Sequence, residues 1–205
     1  VSIYVNGFKF GIDFTGGRNY VVRFDKPVDA ENIEKSLVSS FQTTDGKNSA
    51  IEAKTFGNDN QLKISTDYLI DDESLKADQT IEQKVYEGLK PNLPAGMTLQ
   101  EFKAADKSHA GIVSSTKVGP TVADDIKTGG TFAVIAALAG IFLYILLRFR
   151  KWQFSLGAIL ALFHDAIIVL GAYSLFYRVM PFNMEINQDF IAAILTVIGY
   201  SINDT

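Results

Sequence analysis

From residue 129 to residue 147 the chain runs 19 residues without a charged side chain, nearly all of them apolar. A helix needs about 20 such residues to cross the ~30 Å hydrocarbon core of a bilayer. Arg148, Arg150 and Lys151 follow at once, with Trp152 as an interfacial ring, and residues 154–176 make a second run of 23. A third begins near Asp189 or Phe190 and continues to Thr205, so residues 190–205 read as an incomplete span. Few architectures accept such runs, and an α-helical transmembrane bundle is the expectation for residues 128–205.

Charge divides the chain in the same place. Residues up to 128 carry 15 basic and 19 acidic side chains, and the 77 residues after it carry 4 of each. The net charge of −4 therefore lies in the first part, which lacks the basic stripe of a nucleic-acid partner. With no cysteine, disulfides, thiolate nucleophiles and zinc-thiolate sites are ruled out.

Residues 1–127 read as an α+β domain. Residues 1–17 place Gly7, Gly11, Gly16 and Gly17 around Phe8, Phe10, Ile12 and Phe14, an extended aromatic pattern broken by turns. Residues 20–24 form a short strand. Asp29 can cap a helix whose Ile33, Leu37, Val38 and Phe41 make one apolar face. Residues 46–49 break it. Residues 50–56 alternate, and the Gly57-Asn58-Asp59-Asn60 turn leads to Leu62 and Ile64, which predicts a hairpin. In residues 77–90, Ile81, Val85 and Leu89 share a helix face closed by Pro91 and Pro94. Residues 99–102 are ambiguous, and residues 112–118 are a β-branched strand. Strand, helix, strand, strand, helix, strand is the order of a split βαβ, ferredoxin-like sheet with two helices on one face.

Three basic residues in the short loop after the first apolar run mark the cytoplasmic side, so residues 1–127 are expected outside the cytoplasm. Residues 1–10 lack the charged start and apolar core of a signal peptide, and Thr205 ends an apolar run with no exit charge. The expectation is a fragment cut at both ends, with an earlier span before Val1.

Two acids then stand out. Asp204 lies about 15 residues into the third run, roughly 22 Å along a helix rising 1.5 Å per residue. Asp165 sits near the middle of the second. A charge at that depth costs about 2.5–3.5 kcal/mol on insertion scales, so each is a functional candidate. Gly157, Ala161 and Asp165 recur at i, i+4, i+8, which puts this acid against protein among small residues. Ala193, Val197, Tyr200, Ser201 and Asp204 likewise share a side. Desolvation favours the neutral form of a carboxyl group, so both acids suit proton relay. The alternative is that they are neutral struts between helices.

His164 points about 100° away from Asp165 on a helix, so another helix or a backbone carbonyl is its expected partner. Ser201 and Asn203 can orient Asp204, bridge to a water or bond between helices. Ala133, Ala136, Ala137 and Gly140 read as packing. No carboxylates stand at metal-ligand spacing around His109 or His164, and neither a phosphate-binding glycine loop nor a nucleophilic serine elbow is present. No metal, no cofactor and no enzyme activity are expected.

Several strings occur together: Gly11-Ile12-Asp13-Phe14-Thr15-Gly16-Gly17, Val118-Gly119-Pro120, Tyr144 to Arg148-Phe149, His164-Asp165, and Gly199-Tyr200-Ser201-Ile202-Asn203-Asp204-Thr205. Across nearly the whole chain these residues resemble the SecF family of protein-export subunits, separate or as the SecF half of a fused SecDF, within the resistance-nodulation-division superfamily. The resemblance implies a six-span subunit of the bacterial cytoplasmic (inner) membrane with a large periplasmic domain after its first span. It implies pairing with SecD beside the SecYEG channel and use of the proton-motive force to pull preproteins across. Asp204 matches the family's relay acid. The first, fifth and sixth spans have no counterpart in these residues, nor has a basic residue of the next helix, so this stretch alone is expected neither to conduct protons nor to drive export. A membrane-anchored binding or scaffold module and a small-molecule exporter of the same superfamily are the competing readings.

Overall fold

The computed structural model describes residues 7–41, 50–72, 74–104, 109–177, 179, 180 and 184–204, with the side chains of residues 202–204 outside the description. In chain order the elements are α1 (Ile12–Thr15), β1 (Gly17–Arg23), α2 (Ala30–Ser40), β2 (Ile51–Phe56), β3 (Asn58–Thr66), α3 (Leu75–Leu89), α4 (Leu99–Lys103), β4 (Gly111–Val118), α5 (Pro120–Phe149), α6 (Trp152–Phe176) and α7 (Gln188–Asp204). Thr15–Ala123 forms one compact unit, and the described residues before Thr15 group with the helices after Ala123 as the other.

The first unit is a four-stranded antiparallel sheet in the order β2-β3-β1-β4 with helices against it. Register explains the core. Tyr20 lies opposite Ile64 and Val22 opposite Leu62, so alternate residues of neighbouring strands reach the same face. Ile33, Leu37 and Phe41 of the α2 region meet them, together with Ile81, Val85 and Leu89 of α3. Full burial of each such side chain stabilises by about 1.5–3 kcal/mol.

Local signals set the helix starts. The Asp29 carboxylate accepts from the Glu31 backbone N–H at 3.0 Å, and Ser74 Oγ accepts from Ala77 N at 3.2 Å. Val38, expected on the apolar face of α2, is instead 45% exposed. It follows Leu37 by one residue, a 100° step that carries it past the edge of the buried row. The ambiguous residues 99–102 fold as α4: Thr98 Oγ1 accepts from Glu101 N, the Glu101 side chain reaches back to Thr98 N at 2.7 Å, and Phe102 drops into the core.

The hairpin turn is tighter than expected. Only Gly57, at φ +75°, lies between β2 and β3, and Asn58, Asp59 and Asn60 already belong to the strand. A glycine tolerates that left-handed backbone, and a register shift between Thr55 and Phe56 absorbs the bend. The expected break at residues 46–49 lies outside the described residues.

In the second unit, α5 and α6 are long and apolar enough to cross a membrane, and α7 is a shorter apolar helix. The α5–α6 connection is Arg150 and Lys151, with Arg150 at φ +55°. Ile12 and Phe14, read as extended in sequence, lie in the single turn of α1, where Phe14 N donates to Gly11 O at 3.0 Å. The small residues of α5 stay uncovered among the described residues, with nothing near the position of a Gly140 Cβ.

Candidate functional site: an acid between two helices

α6 and α7 pack side by side, and Tyr173 meets Phe190 in an edge-to-face contact with ring centroids 4.5 Å apart. Further along, Ser201 Oγ of α7 donates a hydrogen bond to Asp165 Oδ2 of α6. Residue 173 lies level with residue 190 and residue 165 with residue 201, so the helices run antiparallel. The other carboxylate oxygen of Asp165 lies 3.2 Å from Nδ1 of His164. Both oxygens of one acid are thereby engaged, one across helices and one along the helix. In place of the expected partner on another helix or a backbone carbonyl, the His164 Nδ1 meets the neighbouring carboxylate, although the two side chains leave the backbone 100° apart.

The faces differ in detail from the sequence reading. Gly157 has nothing near its Cβ position, and the buried residues of α6 are Ser155, Leu162 and Ser174. An i, i+4 row drifts about 40° per step around a helix, so Gly157 has left the contact line two steps from Asp165. On α7 the inward row is Phe190, Ile194, Ile198 and Ser201, whereas Ala193 is exposed, Val197 is 41% exposed and Tyr200 is 70% exposed. Ser201 is therefore placed by the row beginning at Phe190, not by that of Ala193.

Asn203 and Asp204 close α7, and their side chains lie outside the described residues. The Asp204 backbone stands three residues beyond Ser201, about 4.5 Å along the helix. Among the described residues no group of three or more His, Asp or Glu is clustered to hold a metal ion. An acid with a hydroxyl on one oxygen and an imidazole on the other can accept, hold and pass a proton, and can equally tie two helices together.

Asp13 is a residue the sequence reading did not single out. Its Oδ2 accepts from the backbone N–H of Gln188 at 3.0 Å, at the first residue of α7. The only local signal was its place in the Gly-Ile-Asp-Phe-Thr-Gly-Gly string.

An α+β unit joined to two helices long and apolar enough to cross a membrane, one of which carries an acid bonded to its neighbour, fits the class of membrane proteins. The family description "Protein export membrane protein SecD/SecF, C-terminal" matches residues 98–205, and "SecD/SecF GG Motif" matches residues 1–28. The chain belongs to the SecD/SecF family of protein-export membrane proteins. It is 35% identical to protein translocase subunit SecF of Rhodothermus marinus, over 100% of this chain and 58% of that protein. Against SecF of Pseudomonas aeruginosa the identity is 33%, over 100% and 56%. Protein translocase subunit SecDF of Brucella abortus is 32% identical, over 100% of this chain and 23% of its own length. A crystal structure of SecDF in a super-membrane-facing form is 28% identical, over 99% of this chain and 24% of that one, with a TM-score of 0.46. The chain thus spans a little over half the length of the SecF relatives it matches.

Proposed function

We propose that these residues belong to an accessory subunit of the Sec preprotein translocase that uses the proton-motive force to assist export across the bacterial cytoplasmic membrane. Its working partners on this reading are SecD, the SecYEG channel and the translocating preprotein, and it has no enzyme activity of its own. Residues 1–127 are the periplasmic domain, and residues 128–205 contribute spans to a multi-pass bundle. The element order and the β2-β3-β1-β4 sheet support a ferredoxin-like outer domain. Three basic residues at the α5–α6 turn support a cytoplasmic position for that turn.

One observation carries the mechanism: Asp165 is bonded to His164 beside it and to Ser201 of the facing helix, and Ser201 lies about one helical turn before Asp204. Asp165 and Asp204 are the proton carriers. Ser201 orients Asp165, His164 shares its second oxygen, and Asn203 supports Asp204. Moving one charge through the full field is worth about 2.3 kcal/mol per 100 mV, enough to bias a conformational equilibrium tenfold or more.

The Ser201–Asp165 bond also favours a second reading, in which the acids only hold α6 to α7. Asn substitutions separate the two, because an amide still bonds to a hydroxyl but carries no titratable proton. In the native full-length protein, Asp165→Asn and Asp204→Asn are expected to abolish the dependence of export on the proton gradient while ATP-driven export persists. Export that stays proton-dependent in both variants refutes the relay and leaves the strut.

A further inference from the structure

The stretch that leads into β1 also grips the start of α7. Ile186, two residues before that helix, is held through both backbone groups: its N–H donates to Lys9 O at 2.8 Å and its carbonyl accepts from Gly11 N at 2.9 Å. Phe10 and Ile186 thus form a single parallel bridge. Two side chains then cap the helix. Asn187 Oδ1 accepts from Phe190 N at 2.8 Å, the ordinary local cap, and Asp13 takes the Gln188 N–H from 175 residues away. Gly11 makes this approach possible, since a Cβ there would stand 3.0 Å from Asn187 Cβ and 3.5 Å from Ile186 O. The residues of the joint are packed: Ile12, Glu185, Ile186 and Phe190 are all buried.

Asn187 satisfies the Phe190 N–H, and Asp13 satisfies a different orphan donor, the Gln188 N–H, from the far end of the chain. That long-range cap also has a mechanical consequence. From Gln188 to Ser201 a helix extends about 20 Å and moves as a rod, so a displacement at its first turn arrives at the residue bonded to Asp165. Asp13 is also only four residues ahead of Gly17, the first residue of β1.

We propose that Gly11 to Asp13 is a latch on the first turn of α7, and that Asp13 is a positioning residue setting where Ser201 and the backbone of Asp204 stand against Asp165. The idea rests on the proton-relay reading of those acids. Freed from the latch, α7 slides along α6, and the proton site loses its geometry.

The test uses the native full-length protein with Asp13→Ala, which removes the acceptor, and Asp13→Asn, which keeps an acceptor of the same reach. Spin labels at the exposed Leu160 of α6 and Leu195 of α7 report the register of the helices, and proton-dependent export is measured against pH. Asp13→Ala is expected to shift or broaden the interlabel distance by about one residue's rise, 1.5 Å. It is also expected to move the pH midpoint of export and lower its rate roughly tenfold or more, since about 1 Å of misplacement can cost a hundredfold. Asp13→Asn is expected to restore both. An unchanged interlabel distance overturns the latch. A changed distance with an unmoved pH profile overturns the positioning role and leaves a plain helix cap. An Asn variant as impaired as the Ala variant overturns it as well, because charge would then matter and the clamp would not. Failure of the relay reading is seen separately, as proton-dependent export that survives both Asp165→Asn and Asp204→Asn, and in that case the interlabel distance alone decides the latch.

Discussion

Replacing Asp78 by Ala strands a guanidinium. Arg18, on the central strand β1, keeps only 3% of its side chain accessible, and its Nη2 lies 2.7 Å from Asp78 Oδ1. Its Nε also donates to Asp78 Oδ1 at 2.8 Å, while Nη1 reaches the carbonyls of Tyr68 at 3.3 Å and Leu69 at 3.2 Å and Nη2 that of Asp72 at 2.8 Å. Those carbonyls solvate the charge but do not neutralise it. Removing one partner of a buried pair costs about 3–5 kcal/mol. Asp78 retains 27% accessibility and also serves Lys117 at 3.1 Å, so the lower end applies, about 3 kcal/mol.

Burial alone would raise the Asp78 carboxyl, but hydrogen bonds and charge from Lys117 and Arg18 together hold it below the usual carboxylate range. Its folded value lies under its unfolded one, so the contribution is complete above the unfolded value of about 3.9 and is lost as pH falls through the folded value. Hydrogen exchange at the β1 and β3 amides, measured on the whole chain in detergent, reads the effect. Asp78→Ala is expected to weaken protection by the equivalent of about 3 kcal/mol at pH 7. The gap between variant and wild type is expected to narrow below about pH 4. Lys35→Ala, which breaks the exposed pair to Glu31, is the control and is expected to change nothing measurable. A loss of under about 1 kcal/mol for Asp78→Ala, no larger than a surface pair, refutes the reasoning.

Gly88→Ala tests the α2–α3 contact: its Cβ would lie 2.9 Å from Leu37 Cδ2 and 3.3 Å from Leu37 Cα, and overpacking of about 1–3 kcal/mol should appear as faster exchange in both helices. Protection equal to wild type would mean that the helices move apart freely. Thr98→Ala removes the side-chain half of the α4 capping box, and a loss of about 1 kcal/mol, seen as fraying of the Glu101 and Phe102 amides, is expected. Ser201→Ala deletes the hydroxyl on Asp165, and the pH midpoint of proton-dependent export is expected to shift while expression and membrane insertion stay normal.

Legibility followed the distance over which each cause acts. Apolar length placed α5 and α6, the Asp29 cap and an apolar row placed α2, and the row of Ile81, Val85 and Leu89 closed by Pro91 and Pro94 placed α3. The capping box of α4 was equally local, in Thr98 and Glu101, yet a five-residue helix has too short a period for its apolar row to stand out. Val38, Gly157 and Val197 mark the limit of that reasoning: periodicity gives a face to within a residue or two, and only the neighbour decides which row is covered.

The sequence by itself determined which segments suit a membrane, the alternation of strands and helices, and the presence of two acids in apolar helices, because composition and spacing act within a turn or a strand. Tertiary structure alone decided that Arg18 is buried on its counter-ion, that Ser201 bonds Asp165 across 36 residues, and that Asp13 caps α7 across 175. Those pairings depend on which surfaces meet when the chain closes on itself. No local pattern contains that information.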